Sequence, residues 1–259
     1  MGHPSYGSLI WRHDFAGCNQ CPFWHVRNAE LTTMPRFLRP CVYLNGTPFS
    51  DLAFASMGTA LQGYVSGLAY TNLGNLYASF MSGNSGHLAQ QLVQANTTGA
   101  GLALGVILTF VFGVSVGTGL LDNVPARWSM TSVLALEAAI AAASIVLALD
   151  HAALPSALAL VALVGTHSVL HRQVEGVELG RGYVTGYLFA LGEALARPKR
   201  TSLVFLEISA WLLLVTGMLI GAATTQFLGQ ARGTLFVLAM LIVLETMLWR
   251  PWLADRDAT

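Results

Sequence analysis

The chain has 259 residues, of which 54% are hydrophobic and only 10% charged, with 13 basic residues balancing 13 acidic ones. Soluble domains carry about 25% charged residues, so a water-soluble globule is excluded, and zero net charge removes the basic bias that nucleic acid selects. A mean hydropathy of +0.58 and several apolar runs near the roughly 20 residues that cross a bilayer as a helix point to a multispan integral membrane protein.

The chain opens with a mixed N-terminal tail, residues 1–49, which holds no continuous apolar run. Met34-Pro35-Arg36 reads as a bacterial start, so residues 1–33 are expected to be an upstream extension. Cys18, Cys21 and His25 lie close together there, but a structural zinc site wants about four ligands and no second pair follows. No metal or other cofactor is therefore expected.

Span 1 is predicted from Leu52 to Leu73, softened by Gln62, Ser66 and Thr71, with Gly63 and Gly67 on one face. A short, polar, glycine-broken stretch follows, Phe80-Met81-Ser82-Gly83-Asn84, with a helix over Gly86–Gln94. Span 2 is Gly101–Leu121, with Gly113 and Gly117 four apart, and span 3 is Trp128–Leu149, containing Glu137. Span 4 is Ala152–Leu170, with Gly165 and His167; a polar segment then leads to a second motif, Tyr183-Val184-Thr185-Gly186, on a helix ending at Ala196. Span 5 is Ser202–Ala223, with Glu207, Gly217 and Gly221; span 6 is Thr234–Trp249, with Glu245.

The two motifs are copies. Sliding residues 80–92 by 103 positions places Phe80 on Tyr183, Ser82 on Thr185, Gly83 on Gly186 and Gln90 on Glu193. A shift of 104 puts Gly113 on Gly217 and Gly117 on Gly221. Two three-span repeats are expected, residues 50–151 and 152–250, before a C-terminal tail of 251–259. Spans 1 and 4, and spans 3 and 6, share too little to align.

The basic residues then choose a topology. A motif helix of about 14 residues reaches roughly 21 Å, short of the ~30 Å hydrocarbon. If neither motif crosses and the N-terminus is cytoplasmic, 12 basic residues lie inside and only Arg232 lies outside. If both motifs cross, the count is 9 against 4. The positive-inside rule selects six spans with both termini in the cytoplasm. An odd number of spans per repeat turns the second repeat upside down. The expected fold is thus all-α: six transmembrane helices as two inverted three-span repeats, each with a short broken or re-entrant motif helix.

The stretch Ser79-Phe80-Met81-Ser82-Gly83-Asn84-Ser85 with Leu88 resembles the signature of the YoaK-like bacterial membrane proteins, a family of unknown function. Gly182-Tyr183-Val184-Thr185-Gly186 with Leu191-Gly192-Glu193-Ala194-Leu195-Ala196 is similar to that family's second signature. The resemblance covers about residues 52–250 and implies a six-span inner-membrane protein without naming a substrate. Ser66 stands where the family often has an acidic residue, and Thr166-His167 where a Gln-Asn pair is usual.

Broken backbone at membrane depth is tolerated only inside protein or beside water, and transporters build binding sites from it. Ser82, Gly83, Asn84, Thr185 and Gly186 are therefore the candidate solute contacts, although a simple structural turn with helix capping would need the same residue types. Glu137, buried by position at mid-span, is the first candidate for a proton-linked carboxylate, followed by Glu193 and His87. Glu207 is expected to reach the interface, and Glu245 to pair with Arg250. No spacing specifies a catalytic triad or a phosphate loop, so no catalytic residue is assigned. The expected function is a secondary transporter of a small polar or anionic solute, with a proton as candidate coupling ion. The alternatives are a non-transporting membrane scaffold and, less favoured, an intramembrane enzyme. The partners expected are the lipid bilayer and the solute, with a homo-oligomer as a candidate assembly.

Overall fold

The computed structural model describes residues 48–174, 177–179, 182, 184–196 and 201–256, all within one compact unit, Cys41–Thr259. The zinc-like Cys18-x-x-Cys21 pair and the expected start at Met34 lie outside the described residues. Among the described residues, eight α-helices follow in order: α1 Pro48–Tyr70, α2 Met81–Val93, α3 Thr97–Asn123, α4 Ala126–Leu149, α5 Ala153–His167, α6 Val184–Ala196, α7 Thr201–Leu228 and α8 Gln230–Arg256. One feature departs from the all-α expectation. The polar segment after α5 folds into a small antiparallel ladder, β1 Arg172–Val174 against β2 Val177–Leu179.

Among the described residues, four helices are long and apolar enough to cross a membrane: α3, α4, and the stretches Val204–Leu228 of α7 and Gln230–Trp249 of α8. Their outward faces carry large apolar side chains such as Leu104, Leu108, Phe112, Leu219, Phe236 and Ile242, as lipid contact requires. By contrast, α1 and α5 are interior. Residues 61–69 of α1 are all buried, including Gln62 and Ser66, and α5 is only 15 residues long and buried along most of its length. Shielding by the outer four is what lets these two hold polar groups at depth.

Small residues set the helix crossings. A Cβ on Gly63 would overlap the carbonyl of Leu214, and one on Gly67 that of Met218. In return, a Cβ on Gly217 would meet the Ala60 carbonyl and one on Gly221 the Tyr64 carbonyl. These contacts advance together along both chains, so α1 and α7 run parallel, backbone against backbone. The same happens between α3 and α5, where Gly113 meets Ala162 and Thr166, Gly117 meets Thr166, and Gly165 meets the Phe110 carbonyl. Close approach of this kind substitutes for hydrophobic burial, which gives no drive between helices already in lipid.

A hydrogen-bonded chain fixes the remaining directions. Asn72, just past α1, donates to the Gln230 side chain at the start of α8. Gln230 Nε2 donates to Ser156 Oγ near the start of α5 at 2.8 Å, and Ser156 and Ser144, late in α4, are joined by hydroxyl and carbonyl bonds of 2.7–3.0 Å. The end of α1 therefore meets the start of α5, and these two helices have opposite senses. Since α3 runs with α5 and α7 with α1, the chain leaves α1 and enters α3 at the same end of the bundle. It likewise leaves α5 and enters α7 at the other end. Neither α2 nor α6 carries the chain across.

Local chemistry explains the turns. Gly74 and Asn75 both adopt left-handed backbone, φ 65° and 68°, which Gly takes freely and Asn tolerates, and they reverse the chain after α1. Asn96 caps α3 by accepting from the Gly99 N–H at 3.1 Å. Gly229, φ 81°, is the single residue between α7 and α8. The sequence placed the first break at Gly83-Asn84. The structure moves it upstream to residues 74–80 and starts α2 at Met81, so Ser82, Gly83 and Asn84 lie in its first turn, where the leading N–H groups have no intrahelical partner in any case.

Candidate functional site

The two chain breaks meet inside the bundle. Gln62 lies eight residues before the end of α1, about 12 Å of helix, and its Oε1 accepts the backbone N–H of Gly182 at 2.5 Å. One turn further along α1, the hydroxyls of Ser66 and Ser79 are 2.7 Å apart. A Cβ on Gly182 would fall against Gln62 Oε1 and the Ser79 side chain, so Gly182 and Ser79 are neighbours. They also stand 103 positions apart, the offset at which the two motifs match. The segments preceding α2 and α6 thus touch at two residues separated by the motif offset.

The predicted solute contacts flank this junction in different ways. Ser82 and Gly83 are exposed, and a Cβ on Gly83 would meet nothing within 4 Å. Asn84 is buried, and its amide is fully committed: Nδ2 donates to the Tyr77 carbonyl at 2.7 Å and Oδ1 accepts the Tyr77 N–H at 3.1 Å. On α6, Thr185 is exposed and Gly186 half-buried. His87 is half-buried and Glu193 exposed.

Glu137 has a different setting from the other proton candidates. It is 0% exposed, and its Oε2 lies 2.9 Å from His167 Nδ1, a residue 1% exposed near the end of α5. Glu137 Oε1 and His167 Nε2 are buried and make no hydrogen bond. Elsewhere, Glu207 is buried at 3% exposure rather than reaching the interface. Glu245 accepts from the Trp249 indole at 2.6 Å, while the side chain of its expected partner, Arg250, is outside the described residues. Trp249 also packs on Trp128, with Arg127 over the Trp128 ring. Among the described residues, no three His, Cys, Asp or Glu side chains gather as a metal ion would need.

Sequence reasoning missed Gln62, Ser79 and Gly182 as a unit, and His167 as the partner of Glu137. Ser79 and Gly182 sit one position before the matching stretches 80–92 and 183–195. His167 stands 30 residues from Glu137 on another helix, and no local spacing links them.

A bundle of apolar-faced helices around two polar-bearing interior ones defines a helical membrane protein. The family model described as "Protein of unknown function (DUF1275)" matches residues 54–248, and the chain belongs to that family, in keeping with the resemblance carried by the two motifs. No curated protein and no solved structure matches the chain.

Proposed function

We propose that this membrane protein is a secondary transporter of a small polar or anionic solute, with six spans in two inverted three-span repeats and both termini on the cytoplasmic face of a bacterial inner membrane. The opposite senses of α1 and α5, and the non-crossing α2 and α6, support the inverted arrangement. So does the register: Gly63 and Gly165 meet the Leu214 and Phe110 carbonyls, while Gly217 and Gly113 meet Ala60 and Ala162. These pairs are related by 102 positions in the first spans and 104 in the second.

The observation that carries transport is the contact of Ser79 with Gly182, with Gln62 and Ser66 beside it. Non-helical backbone entering from opposite ends and meeting among buried polar side chains is the arrangement transporters use at their midplane. The solute would pass between the halves here, with Ser82, Gly83, Asn84, Thr185 and Gly186 at the flanking helix starts. A scaffold without transport is the second reading, favoured by the lack of room for a Cβ at Gly182.

The test is a substrate-library uptake screen in vesicles reconstituted with the purified chain. One class of small polar or anionic solute is expected to accumulate, and Gly83→Leu is expected to abolish that uptake without impairing membrane insertion, since the position has space for a side chain. Uptake that Gly83→Leu leaves intact counts against the motif as the pathway, and a screen that finds no solute favours the scaffold.

A further inference from the structure

We infer that the Glu137–His167 pair is a proton-binding site, through which protonation is linked to the packing of α4 against α5. Three observations carry this. The first is geometric. A carboxylate and an imidazole share one 2.9 Å hydrogen bond with both side chains essentially out of contact with solvent. With one proton between them the pair is net neutral whichever atom holds it; with two protons it is cationic, and with none it is anionic. A net charge at such a site is expensive, so gain or loss of a proton requires the surroundings to rearrange. Glu137 Oε1 and His167 Nε2, the atoms without partners, are where water or a counter-charge would be received.

The second observation concerns the rest of the site. Of the ionisable groups on the elements packed around the pair, Asp122 on α3 and Arg232 on α8 are exposed, and Glu245 on α8 is bonded to Trp249. Tyr64 on α1 donates to the Gly233 carbonyl. Arg127 and Asp150, on or beside α4, are exposed. No other described residue forms an ion pair with either partner, so nothing local fixes the pair in one charged state.

The third observation separates function from packing. The fold builds the same neighbourhood twice. The 102-position shift between α5 and α1 puts His167 on Val65. A shift of 104 from α4 to α8 puts Met130, Val133 and Glu137 on Thr234, Val237 and Leu241, all of them buried. The equivalent of the ion pair is therefore a valine and a leucine. The architecture does not need charge at this place, and replacing a buried ion pair with apolar side chains is often neutral or stabilising. One half carries the pair without a packing requirement for it.

The chemistry is a proton exchange alone. A proton from water forms an N–H or O–H bond on the pair, and the same bond breaks to return it to water. Its use to drive a solute rests on the transport reading above, whereas the binding of a proton does not. The test is infrared difference spectroscopy of the full chain in lipid nanodiscs between about pH 5 and about pH 9, a range that brackets an ordinary histidine. The wild type is expected to show a carboxyl band that changes with pH. Glu137→Gln should lose that band, and His167→Gln should move its midpoint by about one unit or more. The paired variant Glu137→Leu with His167→Val, which copies the other half of the molecule, should lose the band and yet fold and melt as the wild type does. A Glu137 signal that stays constant across the range overturns the proposal, and so does a paired variant that cannot fold. Titration that survives while the uptake screen finds no solute supports the proton site and sinks the transport reading alone.

Discussion

The α1–α7 and α3–α5 junctions have the same construction and different contents. Both are parallel crossings in which glycine lets one backbone rest on another, with carbonyls of equivalent residues, Leu214 and Phe110, lying over equivalent glycines. Beside the α3–α5 crossing lie Glu137 of α4 and His167 of α5; at the matching positions lie Leu241 and Val65. The polar chain Asn72–Gln230–Ser156–Ser144 also occupies one end only, since the same shifts replace Gln230, Ser156 and Ser144 by Ala126, Phe54 and Leu248. Backbone packing is thus alike at the two junctions, while buried side-chain chemistry is concentrated at one. What is shared reads as architecture, and what differs is where a specific task is to be sought.

The largest expected effect comes from the shared part. Gly113→Leu and Gly217→Leu each drive a side chain into a backbone carbonyl that cannot yield, so each should exceed the ~1–3 kcal/mol of an ordinary overpacked core and abolish monodisperse protein in detergent. Gly101→Leu, with open space at its Cβ, should behave as wild type on the same size-exclusion trace. Unequal damage at Gly113 and Gly217 would break the likeness of the two junctions.

Next comes the contrast itself. Glu137→Ala leaves His167 without its partner and opens a cavity, at an expected loss of about 3–5 kcal/mol. Leu241→Ala removes only apolar contacts, at about 2–5 kcal/mol. Thermal unfolding in detergent should therefore show both destabilised, but only Glu137→Ala should change the way stability depends on pH. A smaller effect is expected at the polar end. Ser144→Ala should cost about 1 kcal/mol, and its combination with Gln230→Ala should be non-additive by ~0.5 kcal/mol or more, because both groups bond through Ser156. Smallest is Asn96→Ala, which removes one helix cap for about 0.5 kcal/mol at an exposed turn and should leave both junctions unchanged.

The outer helices were legible in the sequence because long apolar runs depend only on composition. The starts of α3, α4 and α7 fall within a few residues of where hydropathy put them. The second motif helix, ending at Ala196, was also readable, as was the pairing of Gly113 with Gly217. The kinship of α1 and α5 was not. At a shift of 102, Leu52, Ala55, Ala60, Leu61, Gly63, Ser66 and Leu68 fall on identical residues of α5 and the turn after it, but Leu, Ala, Gly and Ser coincide readily between apolar helices. It is the contacts of Gly63 and Gly165 that single out this offset. The first break was misplaced for a related reason. Gly74-Asn75 and Gly83-Asn84 look alike on paper, and only the first pair takes up left-handed backbone. Of the candidate site, Glu137 was found from the cost of its burial, whereas His167 became its partner only through tertiary packing.

The parallel contact of α1 with α7 also has a consequence for how the chain is made. Gly63 and Gly217 lie on the two faces of one junction, so roughly 150 residues must be synthesised between them, about 10–30 s at ordinary translation rates. During that interval α1 lacks the helix against which its Gly63 and Gly67 pack, and Gln62 lacks the Gly182 N–H that it accepts. Of the described helices, the first to be made is thus among the last to be completed. A chaperone or insertase that holds α1 until α7 arrives would act in that window.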